Sequence, residues 1–197
     1  MAQLGVDVFP TIQFYRARAL LWQTRGHGSG LQDAAEGVLY FADAAADGVR
    51  ASDYVRDVRS ADELAAFLAD ATSSRQLAVV DVSLSTATPC VRIFPAVMAL
   101  AKHLRGSAAF ARLIGDASPD AAALTASLNV LEAPTFIFYR DGVEVLRHVG
   151  SSRGDLIGKI LEVQAAHGVA VPQPAPRRRP PPSQAPPRRA SGQAMWK

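Results

Sequence analysis

Residues 77–95 read LAVVDVSLSTATPCVRIFP. The first six are valine-rich and apolar except for Asp81, which suits a strand buried on both faces. An acid flanked by valines in such a strand must be hydrogen-bonded or shifted in pKa, whether or not it has a task. Residues 84–89 form a polar loop. From Cys90 to Leu104, the residues Ile93, Phe94, Val97 and Met98 fall at helical spacing, and Pro95 is placed to kink the helix. Strand, short loop and helix predict a layered α/β fold.

The pattern extends in both directions. Upstream, Tyr54–Val58 reads as a short strand, and Ser60-Ala-Asp-Glu63 is a capping box opening a helix with Leu64, Phe67 and Leu68 on one face. Downstream, Ala108–Ile114 reads as a strand and Ala121–Leu128 as a helix. Strands at Thr135–Tyr139 and Val143–Val149 are joined by Asp141-Gly142, a strong hairpin signal. A last helix runs from Arg153 to about Ala166. The order βαβαβα-ββα predicts a central mixed sheet with helices on both faces.

The body also holds an internal repeat. LGVDVFPTIQFYR (residues 4–16) and LNVLEAPTFIFYR (residues 128–140) align at an offset of 124, with Leu, Val, Pro, Thr, Phe, Tyr and Arg shared. The offset still holds at Gly26 and Gly150. Residues 1–50 thus supply only a last hairpin (Thr11–Tyr15, Ala19–Thr24) and a last helix (Leu31–Phe41) of the repeated unit. Such a fragment cannot close a core alone, so it is expected to be a truncated repeat: either upstream sequence is missing or the fragment docks elsewhere. The docking partner is the complete unit of residues 51–169 or a second copy, since the hairpin presents an apolar edge.

Composition narrows the chemistry. One cysteine in 197 residues excludes an internal disulfide framework, a four-cysteine zinc site and an intramolecular CxxC pair. His27, His103, His148 and His167 are scattered, so no metal site and no cofactor are expected. No apolar run is long enough to cross a bilayer as a helix, and no membrane partner is expected. The net charge of +3 is uneven: the segment from Ala170 carries five Arg, one Lys and no acid, which leaves the rest slightly acidic. That segment holds eight of the 13 prolines and almost no large apolar residue, so residues 170–197 are expected to be a disordered tail. A nucleic acid or acidic surface is expected to meet it weakly at most.

Asp81, Thr86-Ala-Thr-Pro-Cys90, the kinking Pro95, Ala133-Pro134-Thr135 and Gly150 occur in the order that marks a thioredoxin. There a buried strand aspartate, the WCGPC loop, a helix proline, a cis-proline and a late glycine follow one another. The chain resembles thioredoxins over about residues 53–168. It is similar in particular to the second module of the chloroplast drought-induced stress protein family, plant thioredoxins of two tandem modules. Gly37-Val-Leu-Tyr-Phe-Ala-Asp43, Phe110-Ala-Arg-Leu-Ile-Gly-Asp116, Ala133-Pro-Thr-Phe-Ile-Phe-Tyr-Arg-Asp-Gly142 and the run from Gly150 to Leu161 carry that similarity. The resemblance implies a thioredoxin fold, a role in redox homeostasis and stress response, and a chloroplast location. Met1–Pro10 has no signal or transit pattern, which leaves the cytoplasm as the alternative.

The resemblance also defines what departs from it. Thioredoxin chemistry needs a first thiol that attacks the substrate disulfide as thiolate and a second that resolves the mixed disulfide. The first position here is Ala87, the tryptophan before it is Thr86, and the glycine after it is Thr88. A methyl group is no nucleophile, so the dithiol cycle is not expected. Cys90 matches the resolving thiol and Asp81 its proton acceptor. Either Cys90 is a monothiol that pairs with a partner or glutathione, or it is a small buried hydrophobe. Binding of protein clients or peptide segments needs no cysteine, and the resemblance assigns it to Thr88, Pro89, Ala133, Pro134 and Gly150.

Overall fold

The computed structural model describes residues 6–25, 30–44 and 48–169. The expected disorder of the tail from residue 170 lies outside them. Seven strands and five helices are present among these residues: β1 (Thr11–Arg16), β2 (Ala19–Arg25), α1 (Gly30–Ala42), β3 (Val55–Asp57), α2 (Ala61–Ser73), β4 (Leu77–Ser83), α3 (Thr88–His103), β5 (Ala108–Ile114), α4 (Pro119–Ser127), β6 (Thr135–Arg140), β7 (Val143–Val149) and α5 (Arg153–Ala166).

Strands β3 to β7 form one sheet in the order β3-β5-β4-β6-β7, with β5 parallel to β3 and β4, and β6 antiparallel to β4 and β7. Every residue of β4 is buried, because helices cover both faces of the central strand. Alternation splits the strands between two cores. Leu77, Val79, Phe110, Phe136 and Phe138 face α3 and α5, while Ala78, Val80, Val82, Leu113 and Ile137 face α2 and α4. Asp81, two residues beyond Val79, therefore points to the α3 side. In α3 the buried set Cys90, Ile93, Phe94, Val97 and Ala101 recurs at helical spacing, as the sequence predicts. The helix begins at Thr88, two residues before Cys90.

The two copies of the repeat match in detail. The bounds of β1 and β2 lie 124 residues before those of β6 and β7. Each hairpin shifts register at the same place, between Phe14 and Tyr15 and between Phe138 and Tyr139. Each turn uses two positive φ values, at Ala17-Arg18 and at Asp141-Gly142. Each copy opens on a cis peptide, Phe9-Pro10 and Ala133-Pro134. Thr11 and Thr135 donate their hydroxyls to the carbonyls of Val8 and Glu132. α1 of the first copy lies along α3 of the complete unit.

Candidate functional site

The site forms where β4 ends and α3 begins. Ala87 is the N-cap of α3 and offers no side-chain acceptor; its carbonyl receives the backbone amides of Cys90 at 3.0 Å and Val91 at 3.1 Å. Cys90, one turn in, is fully buried. Burial pushes its thiol up; the Leu84 backbone amide and the Ser83 hydroxyl oppose this, and the nearby Asp81 adds to it. A thiol in that setting is a poor source of thiolate.

Asp81 is 1% exposed. Ser83 Oγ donates to its Oδ1 at 2.6 Å, while Oδ2 has no hydrogen-bond partner among the described residues. Burial pushes the carboxyl up to about 6, against the opposing pull of Ser83 and of Arg112. Parallel pairing sets Arg112 beside Asp81 on the same face. Yet the Arg112 head is drawn elsewhere: Nε donates to Asp57 at 3.0 Å and a terminal nitrogen to the Tyr40 carbonyl at 3.3 Å. Its guanidinium lies 4.3 Å from the Phe94 ring centre. Asp81 is therefore compensated only in part.

The facing loop carries the cis peptide at Ala133-Pro134. The Pro134 ring is buried, and its carbonyl accepts the Gly150 amide at 2.9 Å. Gly150 sits at φ 121, a conformation that side chains rarely adopt. No hydrogen bond among the described residues engages the backbone of Ala133. Ala87 and Ala133, both half-buried, pack against the same apolar cluster that holds Cys90. The structure thus gathers Asp81, Cys90, Ala133, Pro134 and Gly150 at one end of the molecule, with Pro89 exposed beside them.

At the start of α3 the Thr88 hydroxyl accepts the indole N–H of Trp22 at 3.0 Å. The sequence reading missed two groups. Leu131, 95% exposed, and Val149, 50% exposed, flank Ala133 and Gly150 as apolar shoulders. Their signal was proximity to Pro134 and Gly150 in the chain. Tyr40 donates its hydroxyl to the Leu84 carbonyl at 2.9 Å from the distant first copy, where no local pattern announces it.

The sequence model of the thioredoxin family matches residues 57–162. Among curated proteins, the chloroplastic thioredoxin-like protein CDSP32 of Arabidopsis thaliana is 42% identical over 86 residues, covering 44% of this chain and 28% of that protein. Thioredoxin H2 of the same plant is 35% identical over 92 residues, 47% of this chain and 66% of that one. The chain spans less than two thirds of either relative. Among solved structures, Fasciola hepatica thioredoxin has a TM-score of 0.50 at 30% identity and covers 55% of this chain and 98% of its own. A redox protein from Chlamydomonas reinhardtii has a TM-score of 0.54 at 24% identity, with 61% of this chain and 39% of its own covered, and speaks to the fold alone. The family match runs from the end of β3 into α5, more than half of the chain, and on that ground this protein belongs to the thioredoxin family and is related to CDSP32.

Proposed function

We propose that this protein works by binding protein or peptide segments at its cis-proline groove, having lost the dithiol chemistry of its family. The observation that carries this reading is the alanine at the tip of α3 in a chain with a single cysteine. Position 87 has no sulfur to attack a disulfide, and Cys90 lies fully buried one turn behind it. What remains suits an extended peptide. The unengaged Ala133 backbone offers one donor and one acceptor to an added strand, and Leu131 and Val149 offer apolar contact on either side. The relation to chloroplastic CDSP32 supports a plastid setting, and the resemblance to its family implies a part in redox homeostasis and stress response.

The test is fluorescence anisotropy with labelled extended apolar peptides. Leu131→Glu and Val149→Glu should each weaken binding about tenfold, as a central contact of ordinary size does. Cys90→Ser should leave it unchanged. Binding indifferent to both shoulders but lost in Cys90→Ser would favour a monothiol oxidoreductase. So would insulin reduction by the unaltered protein that disappears in the same variant.

A further inference from the structure

The carboxyl ends of the parallel strands β3, β5 and β4 border a cavity of about 490 Å³. Val58 and Arg59 follow β3, Ser85 follows β4, and Ile114 ends β5. The carboxyl end of a parallel sheet is where α/β folds hold their ligands. The opposite wall comes from the first copy of the repeat, through Arg16, Leu21, Tyr40 and Phe41. That wall is fixed: Trp22, Leu39 and Tyr40 share one buried core with α3, and Arg112 donates to the Tyr40 carbonyl. None of the lining belongs to the cis-proline groove.

The lining carries both signs of charge, but they are not equally engaged. Asp116 accepts the Ser85 amide on one oxygen and the Ser85 hydroxyl on the other, both at 2.7 Å. Asp43 accepts the Ser52 amide at 2.7 Å and its hydroxyl at 2.6 Å. Asp57 has Arg112 at 3.0 Å from one oxygen and Arg59 at 3.9 Å from the other. The arginines keep donors in reserve. Arg112, 7% exposed, lies over the rings of Phe94 and Tyr40. Of the five N–H donors of a guanidinium, Asp57 and the Tyr40 carbonyl take one each, and the others have no partner among the described residues. Arg16 gives one donor to the Phe41 carbonyl at 3.0 Å. A guest therefore finds the acceptors occupied and donors free, beside the apolar side chains of Leu21, Phe41 and Ile114. Because arginines and aspartates balance, several negative charges would meet uncompensated carboxylates, whereas one charge on an apolar body matches the lining.

We propose that this cavity binds a small aromatic monocarboxylate, with its carboxylate on the free donors of Arg112 and Arg59 and its ring against Leu21, Phe41 and Ile114. The site is built from both copies of the repeat and stands whether or not a peptide occupies the groove.

The experiment is calorimetric titration of the full chain with 2-naphthoate. One equivalent should bind, and 2-naphthamide, of the same shape without the charge, should bind about tenfold more weakly or worse. Ala117→Phe sets a ring at an exposed position of the lining, and Arg112→Gln removes the buried charge; each should weaken naphthoate by at least about tenfold. Should Arg112→Gln fail to fold, the naphthamide comparison and Ala117→Phe decide alone. Inorganic phosphate at equal concentration should leave naphthoate bound. The proposal is overturned by absence of binding at about 1 mM naphthoate, by equal affinity for the amide, or by affinity unchanged in Ala117→Phe. Displacement by phosphate would also overturn it, since the cavity would then take a more highly charged anion.

Discussion

Asp81→Asn should make this protein more stable at neutral pH and leave it nearly unchanged in acid. The carboxyl titrates near 3.8 in the unfolded chain and at about 6 in the folded one, because burial disfavours its charge. Between those values the native state binds more protons than the unfolded state, so stability falls as pH rises through the window. Below 3.8 both states are protonated and the cost is absent; above 6 it is fully present. At 1.36 kcal/mol per pH unit, the interval corresponds to about 3 kcal/mol at pH 7. Asparagine keeps the shape and can still accept from Ser83 Oγ through its carbonyl oxygen. Its amide takes the place of Oδ2, which has no partner among the described residues to lose.

The assay is urea denaturation of the unaltered protein and the variant from pH 3.5 to 8, read by circular dichroism. The difference should grow from near zero at pH 3.5 to about 3 kcal/mol in favour of the variant at pH 7. In thermal melts at pH 7 this corresponds to roughly 6–12 °C. A difference that does not change with pH, or an unaltered protein more stable at pH 7, would refute the claim that Asp81 is buried with its charge only partly compensated. The first outcome would mean an exposed carboxyl. The second would mean that Arg112 serves Asp81 and not Asp57.

Ala87→Cys should confer insulin disulfide reduction, since it sets a thiol at the N-cap of α3, where the helix dipole favours thiolate, three residues before Cys90. Combining it with Cys90→Ser should abolish turnover and trap a mixed disulfide visible by mass; equal activity with and without the added thiol would show that position 87 is not the attacking post. Gly150→Ala should cost about 1–3 kcal/mol in urea denaturation, because its φ of 121 is closed to side chains although space around it is open. No loss would mean that the cis-proline loop relaxes without it.

Local chemistry was legible wherever a residue fixes its own surroundings. Asp141-Gly142 placed the turn because both residues hold positive φ, and Ser60 placed α2 because its hydroxyl receives the Glu63 amide. The start of α3 was harder: Ala87 carries no capping group, so nothing in the letters separates the loop from Thr88. The start of α4 carries a signal, since Ser118-Pro119 is a cap followed by a first-turn proline, and Ser118 accepts the Ala121 amide. Arg112 was illegible for another reason. Within AAFARLI it looks like a stray charge, and only the parallel register beside Asp81 and the approach of Asp57 and Tyr40 give it partners. Contacts far apart in sequence leave no local periodicity.

The repeat separates what local sequence dictates from what neighbours impose. Both hairpins share bulge, cis peptide and threonine bond at or beside the residues they have in common, whereas the two turns take the same positive φ values on different residues, Ala17-Arg18 and Asp141-Gly142. Burial differs. In β6 one face presents Phe136 and Phe138 to α3 and α5, and the other presents Ile137 and Tyr139 to α2 and α4. The matching residues of β1 are Ile12 and Phe14 on the first face, Gln13 and Tyr15 on the second. Phe14 is covered by Trp22 and Phe41, whereas Gln13 bonds across the hairpin to Gln23 at 3.2 Å and Tyr15 is 47% exposed. A strand that must be covered on both faces needs apolar residues on both; β1 keeps them on the one face that α1 covers. The first copy is therefore suited in its own residues to one-sided packing, which a central sheet strand is not.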